Sequence, residues 1–482
     1  MTKKKQKSSH LTAEIMTFVK GKWFGPFMIM ACFLFLLLVR MGINLPTFGD
    51  EPHYMLSDYS LVHDHDLNLT NNYANHDYSS FFDGKLTPQG NPDPKDIRTI
   101  HGDGLPFLLL PGFAIDGKWG AAIEMVMVAT LVVWLTYVWT KQITKNKKAA
   151  YIAAGLLTIC FYFANLAGYV YPDLPLAATF LASLIILDKY YNRPWMQFLL
   201  GAILGFGLLL HFRTFVFIVP IFLILAWRLW RNERKLPWQA LTAFLIFGGI
   251  YYYYEAYLSG VSAAPSVTGS GGSLNGNGVI NLSALLFDSN KGLLSLNPIL
   301  LLLPIGLPIW FKEHKRSLII AFIALAPTMY TTIMFIEWHG GYAPTGRYMM
   351  SILPVFIPAL AFAVMYLKAT WQKVIIWLLG ITSVVIILDA IRSHYALIDP
   401  NKWSQHPFFA HIQHATGIAV DKLLPAFVTD LTHGDTTNLV HPGAIGVAKI
   451  VVWYCIVIAL GAYGWWLSRA VQTKQSARRK KT

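Results

Sequence analysis

Apolar runs of roughly 20 residues recur along the whole 482-residue chain, and they limit its fold more than any other feature. A helix of that length spans the hydrocarbon core of a bilayer. Only 13% of the residues are charged, whereas soluble domains carry about 25%. The pattern predicts an all-α polytopic membrane protein, with residues 1–482 forming a single integral membrane domain. It argues against nucleic acid as a partner despite the net charge of +14.

About twelve transmembrane helices are predicted from these runs. They cover residues 23–44, 119–139, 149–168, 173–188, 196–211, 213–230, 238–258, 293–311, 317–336, 347–367, 372–391 and 446–468. Residues 105–115 form a further apolar piece, which contains Pro106 and Pro111 and is too short to span. We expect that piece to lie in the membrane interface or to re-enter the membrane.

The basic residues predict the orientation of the spans, because Lys and Arg accumulate on the cytoplasmic side. With the Lys-rich N-terminus inside, the cytoplasmic segments contain 27 of the 39 Lys and Arg but only 4 of the 25 Asp and Glu. This predicts a multi-pass plasma-membrane protein with both termini in the cytoplasm. Three long extracytoplasmic loops follow, over residues 45–118, 259–292 and 392–445.

The three outer loops differ in character. The first loop, 45–118, is the longest and most acidic, and the apolar spacing after Pro52 predicts an amphipathic helix at the membrane surface. The second loop, 259–292, contains Gly-rich sequence and is predicted to be flexible. The third loop, 392–445, is polar and contains six His. The cytoplasmic connections are too short to contain a nucleotide site.

Asp50 and Glu51 are adjacent carboxylates directly after the first apolar run. Acidic side chains are costly near hydrocarbon, so such a pair is a candidate functional site. One interpretation is that Asp50 only caps the helix that begins near Pro52. The other is that a carboxylate held at this helix start accepts a proton from an acceptor hydroxyl or binds a divalent metal. The two interpretations are compatible.

Four cations break the positive-inside pattern, namely Arg40, Arg213, Lys291 and Arg347. Each of them has a simple alternative explanation, in which the long side chain only reaches along the membrane to the interface. As a group they place positive charge on the side that carries the carboxylates. Since guanidinium groups bind phosphate in a bidentate manner, the group predicts a site for a lipid phosphate.

Three further residues of the outer face are candidates for substrate binding. Tyr348 can stack on a sugar or prenyl chain, or belong to the aromatic belt of the interface. Asp173 can contribute to the cavity, or simply cap a helix. His101 precedes Gly102-Asp103-Gly104 and is the most suggestive of the His residues in the first loop. The His spacing matches no standard zinc motif. No cofactor is therefore predicted with certainty, although a divalent metal stays open.

Several short motifs resemble those of the GT-C superfamily of membrane glycosyltransferases. The resemblance is closest to the branch that contains protein O-mannosyltransferases and the lipid A aminoarabinose transferase. The motifs are the Asp50-Glu51 pair that opens a long first outer loop, the stretch from His101 to Pro106, the stretches 285–288 and 291–294, and Gly340-Gly341 followed by Gly346-Arg347-Tyr348. In hydropathy the resemblance covers most of the chain.

The resemblance implies transfer of a sugar from a polyprenyl-phosphate carrier to an extracytoplasmic acceptor, which can be a glycan, a lipid or a protein. It assigns the role of catalytic base or acceptor-orienting group to Asp50, with Glu51 beside it. Arg347 matches the phosphate-binding position by motif, and Arg213 matches it by position only. The expected partners are the carrier lipid, the acceptor and the bilayer.

Two other functions compete with glycosyl transfer. A transporter or lipid flippase would carry ionisable groups near the middle of the membrane or paired broken helices. In this sequence the charges gather at the outer border of the spans. A non-enzymatic assembly protein would use the outer loops as partner surfaces. The distribution of charge favours the glycosyltransferase.

Overall fold

The computed structural model describes residues 24–43, 47–89, 96–253, 278–289, 291–335, 338, 340, 343–344, 346–394, 406–425, 427 and 444–479. These residues are mostly helical. The α-helices are α1 (Phe24–Gly42), α2 (Glu51–His63), α3 (Thr70–Asn75), α4 (Gly104–Thr144), α5 (Lys147–Thr158), α6 (Phe161–Leu166), α7 (Asp173–Ile185), α8 (Pro194–Leu210), α9 (Thr214–Glu233), α10 (Trp238–Tyr252), α11 (Gly278–Phe287), α12 (Leu302–Met334), α13 (Arg347–Met350), α14 (Leu353–Phe356), α15 (Pro358–Tyr366), α16 (Thr370–Arg392), α17 (Pro407–Thr416) and α18 (Ala444–Arg479).

Six helical segments of the described chain are long and apolar enough to cross a membrane. They are Phe24–Gly42, Gly104–Thr144, Thr214–Glu233, Pro298–Met334, Thr370–Arg392 and Ala444–Ala470. Shorter apolar helices accompany them at Pro194–Leu210, Trp238–Ile250, Gly278–Phe287 and Leu353–Tyr366. The predicted all-α polytopic membrane fold is confirmed, whereas the count of twelve spans is not.

Several predicted spans are broken helices. The predicted span 347–367 consists of the three short helices α13, α14 and α15. The apolar piece 105–115, which the sequence predicts to be too short to span, forms the first part of α4 and is separated from the rest of it by non-helical backbone at Asp116 and Gly117. Hydropathy responds to composition alone, so it does not detect where the backbone bends.

Buried indole rings hold the centre of the bundle together. Trp139 of α4 is fully buried, and its indole N–H donates to the carbonyl oxygen of Val355 in α14 at 3.1 Å. Its ring also meets that of Trp310 in α12, with centroids 6.5 Å apart and nearly perpendicular planes. An edge-to-face pair of this kind favours one relative placement of the helices. The broken segment α13–α15 is thereby fixed to two long helices.

The first outer loop is packed into the protein. The sequence predicts that α2 is amphipathic at the membrane surface, but residues 51–58 and Ser60 of this helix are all buried. The helix packs mainly on α4. The Gly-rich part of the second loop lies outside the described residues, and Gly278–Phe287 of the same loop forms α11.

Candidate active site

Asp50 stands directly before α2, where its backbone carbonyl accepts hydrogen bonds from the N–H groups of His53 and Tyr54. Its side chain makes no capping hydrogen bond. Instead, carboxylate oxygen Oδ2 accepts a hydrogen bond from Nη1 of Arg347 at 2.9 Å. The Asp50 side chain remains 28% exposed. The capping interpretation therefore does not account for this carboxylate, which faces a cation and an accessible surface.

Arg347 begins α13 and is held on several sides. Its Nη2 donates to the hydroxyl oxygen of Tyr348 at 3.0 Å. Its guanidinium carbon lies 4.8 Å from the ring centroids of both Tyr171 and Tyr348. Gly346 immediately before it has a φ of +72°, and a Cβ there would lie 2.7 Å from the ring of Tyr162. Only glycine suits this combination of backbone and space, so the Gly-Arg-Tyr motif serves to position the guanidinium.

A second ion pair lies beside the first. Nη2 of Arg213 donates to Oδ1 of Asp173 at 3.0 Å, and the Asp173 side chain is fully buried. The guanidinium of Arg213 lies 4.5 Å from the centroid of the Tyr348 ring. Tyr348 thus contacts both guanidinium groups. Five predicted residues form one continuous series of contacts, in the order Asp50, Arg347, Tyr348, Arg213 and Asp173.

His101 reaches this cluster through a close contact between loop and helix. A Cβ at Gly102 would lie 2.4 Å from the carbonyl oxygen of Leu209, at the end of α8. The absence of a side chain lets the loop lie against that helix end, next to the turn that carries Arg213. The imidazole of His101 lies 4.9 Å from the ring of Tyr54, centroid to centroid. The glycines of the His101 motif are therefore explained by packing.

Three His rings around the cluster are held in the neutral form. Burial lowers the pKa of His101, with Arg347 adding to the shift and Asp50 opposing it. Burial lowers the pKa of His53 to about 3, although Asp50 opposes this shift as well. Nδ1 of His211 accepts the backbone N–H of Arg213 at 3.1 Å. Burial and then the Arg213 charge place the pKa of His211 well below its usual value.

Glu51 points into the protein and has no exposed surface. Its Oε1 accepts the backbone N–H of Val170 at 3.0 Å. Burial raises the pKa of Glu51, and the positive charge of Arg40 opposes that shift. The two adjacent carboxylates therefore have different environments, since Asp50 faces the accessible site and Glu51 the interior.

Arg40 is also buried, which contradicts the interpretation that its side chain extends to the interface. Its Nε donates to the carbonyl oxygen of Gly168 at 2.9 Å. Its guanidinium carbon lies 4.6 Å from the ring centroid of Tyr169. Arg40 and Glu51 together bind the segment between α6 and α7. That segment continues to Tyr171, whose hydroxyl donates to the carbonyl oxygen of Phe48 at 2.7 Å. No sequence pattern indicates this inner layer.

Lys291 is buried in a neighbouring segment. Its backbone N–H donates to Oδ1 of Asp288 at 2.7 Å, while Oδ2 of Asp288 accepts the N–H of Phe427 at 2.9 Å. Lys291 is linked to Arg347 indirectly, through the side chain of Tyr162. The Tyr162 hydroxyl donates to the carbonyl oxygen of Gly292 at 3.0 Å, and the same ring packs against the backbone before Arg347.

The divalent metal that the sequence left open receives no site from the described part of the chain. Within it, no group of three or more His, Cys, Asp and Glu side chains converges as metal ligands would. The contacts of Asp50 are those of an ion pair with Arg347. A role for metal stays an open prediction.

Residues 113–265 match the family model "Dolichyl-phosphate-mannose-protein mannosyltransferase". The sequence matches no curated protein. The fold is similar to the crystal structure of ArnT from Cupriavidus metallidurans bound to undecaprenyl phosphate, with a TM-score of 0.51 and 13% identity over 93% of this chain and 76% of that chain. The apo state of the same protein gives a TM-score of 0.47 and 13% identity over 95% and 75% of the two chains.

A further similar structure is the oligosaccharyltransferase of Archaeoglobus fulgidus tethered with an acceptor peptide. Its TM-score is 0.47, with 13% identity over 84% of this chain and 59% of that chain. The likeness to the ArnT structure with undecaprenyl phosphate extends over nearly all of this chain and shows a common fold. The matched segment 113–265 contains Asp173 and Arg213 of the candidate site. The family match and the fold agree with the motifs of this chain that resemble those of the GT-C superfamily of membrane glycosyltransferases.

Proposed function

We propose that this enzyme transfers a sugar from a polyprenyl-phosphate carrier to an acceptor on the extracytoplasmic side of the plasma membrane. The ion pair between Asp50 and Arg347 carries the proposal. It places a carboxylate that can receive a proton next to a cation that can bind a phosphate, at a partly exposed position. Both residues lie on the side of the membrane that the distribution of Lys and Arg predicts to be outside.

The carrier phosphate is assigned to Arg347 and Arg213. Tyr348 contacts both guanidinium groups, so the two cations lie at one site. Guanidinium groups bind phosphate oxygens through paired hydrogen bonds, which suits a headgroup at the membrane border. The similar ArnT structure was determined with undecaprenyl phosphate, which supports a carrier of this chemical class. Lys291 and His101 are proposed to complete the positive and polar surroundings of the headgroup.

The reaction exchanges one C–O bond for another. The acceptor oxygen attacks the anomeric carbon of the sugar, and the bond between that carbon and the carrier phosphate breaks. The phosphate leaves with the bonding electron pair, and its growing negative charge is stabilised by Arg347 and Arg213. The acceptor proton passes to Asp50. Because phosphate is a good leaving group, one carboxylate suffices, unlike the pair that typical glycosidases use.

The resting ion pair affects how Asp50 works as a base. Burial opposes ionisation of this carboxylate, but the charge and hydrogen bond of Arg347 outweigh burial and hold the pKa of Asp50 well below its usual range. A base is most effective when its pKa is closer to the working pH. We expect carrier phosphate to engage Arg347 and so to raise the pKa of Asp50, which makes the base more effective when donor is bound.

Glu51 and Asp173 are assigned supporting roles. The sequence predicts that Glu51 acts beside Asp50, but its carboxylate is buried and binds the backbone of Val170. It is therefore proposed to position the segment that leads to Tyr171, on which Arg347 stacks. Asp173 is buried and pairs with Arg213, so it is proposed to orient that guanidinium.

The decisive experiment incubates purified protein with a panel of polyprenyl-phosphate sugars and candidate acceptors, and follows which donor is consumed. We expect Asp50→Asn to abolish transfer while the protein still binds carrier lipid. Asp83→Asn is the matched control, since it removes an exposed carboxylate from the same loop. Full turnover by the Asp50 variant would remove this residue as the base.

The phosphate assignment has its own test. We expect Arg347→Ala to weaken binding of polyprenyl phosphate by roughly tenfold or more, because hydrogen bonds to charged groups contribute about 1.5–3 kcal/mol. Arg98→Ala is the control, since Arg98 also pairs with an aspartate of the outer loop, Asp96, at 2.9 Å. Unchanged lipid affinity of the Arg347 variant would contradict the assignment.

A further inference from the structure

An apolar groove of about 770 Å³ lies between α1, α4 and α5, in the half of the bundle opposite to the candidate active site. Its volume is in the range of about 300–1,000 Å³ that is usual for small-molecule sites. Met30 of α1 and Met127 and Trp134 of α4 line it and are about half exposed. Because α1 and α4 are membrane-spanning helices, the groove opens to the bilayer.

The groove offers an occupant almost no polar groups. The Thr130 hydroxyl at its wall donates to the carbonyl oxygen of Val126 in its own helix at 2.8 Å. The Thr158 hydroxyl lies 3.4 Å from Sγ of Cys32, the thiol that also lines the groove. The hydroxyls of Thr130 and Thr158 thus already have partners within the protein. An occupant that needs no hydrogen bonds, such as an acyl chain, matches this lining.

One end of the groove meets a strongly basic turn. Where α4 ends and α5 begins, the chain exposes four lysines with no acidic residue among them, namely Lys141, Lys145, Lys147 and Lys148. Nζ of Lys141 lies 5.7 Å from the ring centroid of Tyr137, and Tyr137 lines the groove. The apolar groove and the basic turn are therefore continuous.

Helix α5, which follows the turn, also connects the lysines to the groove. Lys147 and Lys148 precede Tyr151 by four and three residues, so all three lie on one side of α5. Tyr151 also lines the groove, and its ring lies 4.9 Å from that of Tyr137. The two tyrosines thus separate the apolar interior from the lysines, as amphipathic rings do at a membrane interface.

We infer that this groove binds an anionic phospholipid of the leaflet that the lysine-rich turn faces. One acyl chain lies between α1 and α4, and the headgroup phosphate contacts the lysines of the turn. Basic residues at the end of a groove between membrane helices complement an anionic headgroup, and each lysine near the surface adds to the attraction. The inference does not depend on the proposed sugar transfer.

This lipid is distinct from the carrier of the proposed reaction. Gly25 lines the groove near the start of α1, and Arg40 lies near its other end by the candidate site. Fifteen residues of α-helix separate them, or about 22 Å along the axis. A headgroup at the lysines therefore lies far from Arg347.

The test uses the full-length protein in nanodiscs and a phosphatidylglycerol with a photoreactive diazirine on its acyl chain. After illumination, peptide mass spectrometry locates the adducts. We expect adducts in residues 127–134 and 28–33, several-fold above those on the exposed face of α16 around Trp377, which measures ordinary contact with the bilayer. A phosphatidylcholine probe with the same chain is expected to label the groove several-fold less.

The charge requirement is tested with a triple variant, Lys141→Gln, Lys147→Gln and Lys148→Gln. We expect it to reduce groove labelling by phosphatidylglycerol roughly fivefold or more. The matched control replaces Arg231, Arg234 and Lys235, three exposed cations of another turn, by Gln. Equal labelling by the two lipids, or labelling that the lysine variant leaves unchanged, overturns the inference. The inference is also overturned if unlabelled undecaprenyl phosphate reduces the labelling of the groove and unlabelled phosphatidylglycerol does not, since the groove would then belong to the carrier.

Discussion

The guanidinium of Arg213 lies 4.5 Å from the centre of the Tyr348 ring, on a residue that also contacts Arg347. One aromatic side chain thereby joins two ion pairs that originate far apart in the sequence. The electron-rich face of an aromatic ring attracts cations, so Tyr348 stabilises two like charges at one site.

This relationship predicts different effects for two substitutions of Tyr348. Tyr348→Leu removes the ring, and we expect it to weaken binding of polyprenyl phosphate by roughly tenfold, because each cation–π contact contributes about 0.5–2 kcal/mol. Tyr348→Phe keeps the ring and loses only the hydroxyl that accepts from Arg347, so its effect should be several-fold smaller. Lipid-binding titrations compare the two. Equal losses would show that the hydroxyl, and not the ring, matters.

Glu51 and Asp50 should respond differently to removal of their carboxylates. Glu51→Ala leaves the buried N–H of Val170 without its acceptor, which we expect to destabilise the protein by about 1–3 kcal/mol. Asp50→Asn keeps an oxygen that can accept the hydrogen bond from Nη1 of Arg347, so it should abolish turnover while the protein stays folded. Thermal unfolding in detergent and turnover assays separate the two. A Glu51 variant with wild-type stability would contradict the positioning role.

His53 should make stability depend on pH. Its pKa is lowered to about 3, chiefly by burial, whereas an unfolded His takes up a proton near pH 6.5. Between these values the unfolded state binds more protons, so stability falls as pH falls through this window. From pH 8 to pH 5 the loss is about 2 kcal/mol. We expect His53→Gln to reduce the difference in melting temperature between these pH values, and His63→Gln, at an exposed position, to leave it unchanged.

Gly102 should not tolerate even one methyl group. A Cβ there would lie 2.4 Å from the backbone oxygen of Leu209, and the backbone cannot yield as a flexible side chain does. We expect Gly102→Ala to lower both stability and turnover, since the loop with His101 must move away from α8. Gly155→Ala is the control, because nothing lies within 4 Å of its added Cβ. That variant should be neutral or more stable by about 0.5–1 kcal/mol. Wild-type turnover of the Gly102 variant would argue against a role for this contact.

The sequence predicted much of the outer layer of the site. Asp50, Arg213 and Arg347 lie at borders of predicted spans, and the distribution of Lys and Arg places these borders on the same side of the membrane. The structure brings the three residues together. The Gly-Arg-Tyr and His101 motifs marked short segments whose glycines allow close packing. These features depend on local chain geometry, which sequence patterns record.

The inner layer was not predictable in the same way. Arg40 resembles any cation near the end of a span, and nothing in its neighbourhood indicates that its partner is the carbonyl of Gly168, which lies 128 residues away. The break between α5 and α6 falls within the predicted span 149–168, so hydropathy treats that span as one continuous helix. Backbone groups freed by such a break need partners from elsewhere in the fold. Which groups become those partners depends on the tertiary fold and not on the local sequence.

In the proposed reaction, the paired carboxylates have a consequence for the end of each catalytic cycle. Before a donor arrives, Arg347 and Arg213 are already neutralised by Asp50 and Asp173. After transfer, the carrier phosphate therefore competes with Asp50 and Asp173 for the two guanidinium groups. Its departure restores both ion pairs, and the site returns to balanced charge without leaving bare cations behind. If the proposed reaction takes place at this site, the acids favour product release and limit inhibition by the product lipid.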